Sequence, residues 1–171
     1  MFFTKNLRDK AAQIIAIARI KNLKIATAES CSGGLLSALF TEIAGSSDVF
    51  ECGFVTYSNE AKTKMLQVKK DLFEKHGAVS AEVALSMAQG AIKNSTAQVA
   101  IAITGIAGPG GESNAKPIGL VYIVAINVSH SQRVIMRKFN FCGDRNSVRK
   151  ASIIAALDEL QRAISSYQIS E

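Results

Sequence analysis

Three short segments of the 171-residue chain concentrate the side chains able to do chemistry. The first is Thr27-Ala28-Glu29-Ser30-Cys31-Ser32-Gly33-Gly34, with two serine hydroxyls, a thiol and two glycines in one turn. A turn of this kind between a strand and a helix can present a serine nucleophile. Free N–H groups at the helix start can hold an anion or an oxyanion, and glycines let the backbone come close to a ligand. Glu29, Gly33 and Gly34 are therefore candidate substrate contacts beside Ser30. Taken alone, the segment reads better as an ordinary capped helix start.

A serine needs a base. The chain has two histidines, His76 and His130. His76 reads as the end of a helix, where a cation is favourable without any catalytic role. His130 reads as part of a solvated turn between strands. Neither lies on a chemistry-bearing segment, so a Ser-His-Asp triad and a multi-histidine metal site are not expected. No metal or other cofactor is expected. The second segment, Tyr57-Ser58-Asn59-Glu60-Ala61-Lys62, offers the remaining bases. Tyr57 lies at a strand end. Lys62 lies in the first turn of the next helix, where the dipole disfavours its positive charge. Each also has a plainer reading: Tyr57 as a half-buried aromatic, Lys62 as a surface lysine paired with Glu60. Cys31 is a rival nucleophile, because a thiol at a helix start can ionise. It is equally an ordinary buried cysteine. Without a nearby histidine, Ser30 is preferred.

The third segment is Thr104-Gly105-Ile106-Ala107-Gly108-Pro109-Gly110-Gly111. It follows an apolar strand and resembles a nest of N–H groups for a phosphate or carboxylate, with Thr104, Gly105 and Gly108 as contacts. It is neither a Walker A loop nor G-x-G-x-x-G, and a flexible turn is the plainer reading. Gly143-Asp144-Arg145 adds an arginine at a helix start. Arg145 can hold phosphate through two parallel bonds; alternatively Asp144 simply caps the helix and pairs with Arg149.

The elements that must position these segments follow from periodicity. Residues 5–19 carry apolar side chains at helical spacing. A β-prone run covers 24–28, a helix 35–43, and a polar break 45–48. A strand is expected over 49–57, then a helix capped by Asn59 and running to 66. A helical turn over 71–76 ends at Gly77, and Ser80 caps a helix to 94. Residues 98–103 form a nearly continuous apolar strand. Residues 118–128 and 134–141 form a strand pair, and Asp144 or Asn146 opens a last helix to 165. The order α-β-α-β-α-α-β-β-β-α predicts one α/β domain over 1–171: three layers, a mixed, mostly parallel sheet with helices on both faces. Ligands in such folds bind at the carboxyl ends of strands. The loops 29–34, 57–62 and 104–111 all leave strand ends.

Composition narrows the function. Hydrophobic residues are 48% and charged residues 20%, which indicates a folded globular protein. The net charge of +6 is spread along the chain and aromatics are only 6%. That argues for a small phosphorylated substrate rather than nucleic acid. Three cysteines without a C-x-x-C pair fit a reducing, cytoplasmic compartment. The N-terminal MFFTKNLRDK does not read as a signal peptide, and no apolar run is long enough to cross a membrane.

The segments named above occur in order with Ile43-Ala44-Gly45-Ser46-Ser47, Gly53-Phe54-Val55-Thr56 (leading into Tyr57) and His76-Gly77-Ala78-Val79-Ser80. Together, from about residue 7 to 165, they resemble the CinA C-terminal domain family of nicotinamide-nucleotide amidohydrolases. The resemblance implies hydrolysis of nicotinamide mononucleotide to nicotinate mononucleotide and ammonia. It implies roles for Ser30, Tyr57 and Lys62, which match the family's A-E-S-C and Y-S-N-E-x-K motifs. Ser32 stands where relatives commonly have threonine, which keeps the hydroxyl. A homodimer or higher homo-oligomer is expected by analogy. The mechanism expected has Ser30 attacking the carboxamide and Lys62, directly or through Tyr57, moving its proton. N–H groups near Gly33 and Gly34 hold the oxyanion. A non-catalytic nucleotide-binding or competence-related interaction module is the alternative, and a hydrolase of another small phosphorylated compound a third reading.

Overall fold

The computed structural model describes residues 3–129 and 133–165; His130 lies outside them. The elements run α1 (Lys5–Ile20), β1 (Ile25–Glu29), α2 (Leu35–Thr41), β2 (Phe50–Val55), α3 (Asn59–Leu66), α4 (Lys70–His76), α5 (Ala81–Lys93), β3 (Val99–Gly105), β4 (Leu120–Asn127), β5 (Arg133–Asn140) and α6 (Arg145–Ser165). A short 3₁₀ turn, Ser46–Asp48, fills the polar break before β2.

The five strands form one sheet in the order β2-β1-β3-β4-β5. β1 pairs parallel with β2 and β3, whereas β3–β4 and β4–β5 are antiparallel. Alternation along β3 explains the layering. Val99, Ile101 and Ile103 pack in one apolar cluster with α1, α2 and α6. Ala100 and Ala102 face the other, with Val83, Met87 and Ala91 of α5 and Leu66 of α3. The small residues let α5 lie close to the sheet. At Gly90 a side chain would begin 2.0 Å from the Leu66 carbonyl oxygen, so α3 and α5 touch through backbone. The result is the expected three-layer α/β sandwich with a mixed sheet.

Two expectations about helix starts need correcting. Ser58, not Asn59, caps α3: its side chain accepts from the Ala61 N–H at 3.0 Å. Asp144 does cap α6, accepting from the Ser147 N–H at 2.8 Å. Arg149, however, reaches the Ser32 carbonyl at 2.9 Å rather than pairing with Asp144.

β1 is where the connections reverse: the chain passes from β1 to β2 on one side, then to β3 on the other. The carboxyl ends of these three parallel strands open a crevice at that point. Among the described residues no helix is long and apolar enough to cross a membrane.

Candidate active site

Ser30 follows the last residue of β1, the middle of the three parallel strands, and its N–H donates to the Ile103 carbonyl of β3 at 2.9 Å. Thr56 and Tyr57 follow β2, and the Thr56 N–H donates to the Glu29 carbonyl at 2.8 Å. The three strand ends are thus stitched together below a cleft of about 260 Å³. That volume lies at the small end for a small-molecule site. Ser30, Tyr57, Lys62, Thr104, Gly105, Gly108 and Arg145 all line it, so seven of the expected site residues come together.

The centre is a Ser30–Lys62 pair. Lys62 is the fourth residue of α3 and shares its buried face with Leu66. It is only 1% exposed. Its Nζ donates to the Thr56 carbonyl at 2.9 Å and the Tyr57 carbonyl at 3.3 Å, and lies 3.0 Å from Ser30 Oγ. The neighbour expected on the surface reading, Glu60, is not its partner. Burial pushes the Lys62 ammonium down from its ordinary range. A neutral amine at this place keeps two N–H bonds to the two carbonyls and turns its lone pair toward Ser30 Oγ. The carbonyls therefore orient the base as well as holding it.

Cys31 also lines the cleft but is chemically quiet. Burial pushes its thiol up to about 11, outweighing the N–H groups of Cys31 and Ser32 that face the sulfur. At neutral pH the thiol is protonated and a poor nucleophile. Cys31→Ala is expected to keep activity within about threefold of the parent and to cost on the order of 1 kcal/mol of stability through a small cavity. A loss comparable to that of Ser30→Ala in an ammonia-release assay would move the nucleophile next door.

Three expected contacts are corrected. Glu29 is fully buried and outside the cleft. Its carboxylate accepts from the N–H groups of Gly34 (3.1 Å), Leu36 (3.1 Å) and Ser37 (2.8 Å), and from Ser37 Oγ (2.7 Å). Glu29 is therefore the anion that neutralises the start of α2, whose cap position, Gly34, has no side chain to do so. This takes the Gly34 N–H away from any oxyanion. The Gly33 N–H is likewise engaged, donating to the Ser30 carbonyl at 3.0 Å. Neither glycine lines the cleft. Their positive φ values of 64° and 88° show that they serve the turn itself.

Of the two expected proton routes, direct or through Tyr57, the geometry favours the direct one. The Tyr57 side chain is 63% exposed and its hydroxyl accepts from Arg145 Nη2 at 3.1 Å. It is the backbone carbonyl of Tyr57, not the phenol, that meets Lys62. Ser30 Oγ and Lys62 Nζ meet with no phenol between them, and the phenol sits at the mouth. Arg145 Nη1 also donates to the Gly108 carbonyl at 2.8 Å, so this arginine spans from β2's end to the glycine-rich loop. Thr104 is fully buried, and its Oγ1 donates to the Ala78 carbonyl at 2.9 Å. Gly105 is fixed by sterics, since a side chain would begin 2.8 Å from the Leu120 carbonyl oxygen.

Asn59, Ala78 and Val79 line the cleft without having been expected there. Asn59 gave a helix-cap signal that masked its position facing the mouth. Ala78 and Val79 carry no chemical signal and enter only because α5 brings their turn to the end of β3. His76 instead faces Glu82, Nδ1 to Oε1 at 3.5 Å. Among the described residues no three His, Cys, Asp or Glu side chains gather as a metal-binding group.

Comparison with known proteins gives a consistent relationship. The CinA C-terminal domain model matches residues 7–164. A CinA-like protein of Citrifermentans bemidjiense is 44% identical over 160 residues, covering 94% of this chain and 38% of its own length. The chain spans 37% to 38% of the length of the first curated relatives it matches. The crystal structure of competence/damage inducible protein CihA from Agrobacterium tumefaciens superimposes with a TM-score of 0.91 at 41% identity, covering 95% of this chain and 98% of that one. A CinA superfamily protein of Escherichia coli gives a TM-score of 0.87 at 30% identity, covering 95% and 94%. With the model spanning nearly every described element, the chain belongs to the CinA C-terminal domain family.

Proposed function

We propose that the cleft is an amidohydrolase site acting on the carboxamide of nicotinamide mononucleotide, yielding nicotinate mononucleotide and ammonia. The observation that carries the reading is the buried lysine amine 3.0 Å from a serine hydroxyl, with its other donors fixed on two carbonyls. Ser30 Oγ attacks the amide carbon and passes its proton to Lys62. The resulting ammonium protonates the departing nitrogen, which leaves as ammonia. Water then attacks the acyl group on Ser30, Lys62 again takes the proton, and the carboxylate product is released with the serine restored.

A phosphorylated substrate fits the charge of the cleft. Its lining contains Arg145 and Lys62 but no Asp or Glu. Arg145, already oriented by Gly108 and Tyr57, can turn its remaining donors to a phosphate. The expected result is ammonia release from nicotinamide mononucleotide at a kcat/KM at least about 100-fold above that for free nicotinamide, which lacks the group Arg145 would hold. Parallel assays with the mononucleotide, nicotinamide and the dinucleotide check this. No release from any of them would overturn the amidase reading in favour of a binding module; preference for another phosphorylated amide would overturn the substrate alone.

A further inference from the structure

The glycine-rich loop between β3 and β4 lines the cleft, yet little side-chain packing holds it. Its base is closed by Ile106 N–H to the Leu120 carbonyl (2.9 Å) and Gly119 N–H to the Ile106 carbonyl (2.8 Å). Beyond Gly108, residues 109–115 are all exposed. At Gly110, a side chain would meet no atom within 4 Å. Such a stretch has few contacts to resist opening.

Two cationic side chains tie it down. Arg145 holds its start through the Gly108 carbonyl. Lys116 holds its far end. Backbone bonds between Ser113 and Lys116, of 2.9 and 3.1 Å, form a tight turn that aims Lys116 away from the loop. Its Nζ then donates to the carbonyls of His76 and, at 2.8 Å, Val79. The His76 carbonyl belongs to the last residue of α4, where helix carbonyls lack internal partners and a cation is favoured. Gly77 makes the space: a side chain there would begin 2.7 Å from Lys116 Nζ. The turn so gripped contributes Ala78 and Val79 to the cleft, and Thr104 fastens its other side through the Ala78 carbonyl.

We propose that Lys116 is a positioning residue that clips the glycine-rich loop to the 76–79 turn and so sets the spacing between two walls of the cleft. Its kinetic consequence rests on the amidase reading above. Lys116 touches neither Ser30 nor Lys62, which are held by β1, β2 and α3. Losing the clip leaves the reacting pair in place but makes substrate order the loop on binding, so the loss falls on KM rather than kcat.

Lys116→Met tests this in the full chain. Amide hydrogen exchange over 107–118 is expected to quicken by at least ~10-fold, with β1 and β3 unchanged. KM for nicotinamide mononucleotide is expected to rise ~5- to 10-fold while kcat stays within about twofold. Lys116→Arg, whose guanidinium can also donate to both carbonyls, is expected to recover most of both effects. Unchanged loop exchange, or a fall in kcat at constant KM, would overturn the proposal. The exchange measurement needs no substrate. A parent chain that releases no ammonia would therefore sink the amidase reading, while exchange would still decide the clip.

Discussion

Ser30→Ala is expected to lower kcat for ammonia release by at least about 10³-fold, with little change in KM. Among the described residues, the Ser30 side chain supplies the only hydroxyl hydrogen-bonded to the Lys62 amine. Removing it leaves nothing to attack the amide except water, and the position of that water would be set by no other group of the pair. The fold should tolerate the change. Ser30 Oγ holds together no strand or cap; the Ser30 backbone does that through its bond to Ile103. The loss of one hydrogen bond to Lys62 is worth about 1 kcal/mol, and the melting temperature should fall by only a few degrees. A covalent route makes a second, sharper demand. Hydroxylamine added to the parent enzyme should intercept the acyl group on Ser30 and give the hydroxamate, at the expense of the carboxylate. If Ser30→Ala retained a tenth of the parent rate and no hydroxamate formed with the parent, Ser30 would be a residue that orients the amide for water.

The contrast between what was legible in the sequence and what was not follows from the kind of information each feature needs. The layered sheet could be read because period-two and period-3.6 patterns report which face is buried, and Val99, Ile101 and Ile103 separate cleanly from Ala100 and Ala102. The clustering of Ser30, Lys62 and Arg145 could be anticipated because all follow strand ends in a fold that gathers strand ends. Direction was the part that sequence left open. Glu29 and Ser30 are adjacent, yet one side chain turns under α2 and the other into the cleft. Only the competition for the N–H groups of α2 decides this, and the carboxylate wins because α2 starts at a glycine with no cap of its own. Tyr57 was misread for a related reason. Its carbonyl and its phenol point to different partners, and motif spacing cannot tell which of them a lysine five residues later will meet. Burial of Lys62 was equally hidden. A helix-start lysine after glutamate looks like a surface pair until Leu66, one turn on, is seen to share its buried face.

That burial makes Lys62 the source of the second large effect. Lys62→Met keeps roughly the length and shape of the side chain and removes the amine. Activity is expected to fall by about 10²- to 10⁴-fold, the usual range for a lost general base. Lys62→Arg should do no better, since a guanidinium stays charged and cannot accept the serine proton. In the parent, kcat/KM should rise with pH through the lowered Lys62 pKa and level off above it, because only the neutral amine is a base. Stability should move in the same direction. The folded pKa lies below the ordinary 10.5 of the unfolded chain. Between the two the unfolded chain binds more protons, so unfolding free energy climbs with pH and reaches its full value above 10.5. Below the folded pKa the native state carries a buried ammonium whose three donors meet only neutral oxygens. Lys62→Met abolishes this cost, so at neutral pH the inactive variant should be at least as stable as the parent, and its stability should lose the alkaline rise. Denaturant titrations across the alkaline range check the sign. A methionine variant that is both inactive and several kcal/mol less stable would mean that Lys62 serves chiefly to hold Thr56 and Tyr57 in place. Loss of activity with stability retained is the signature of a base that the fold buries against its own stability.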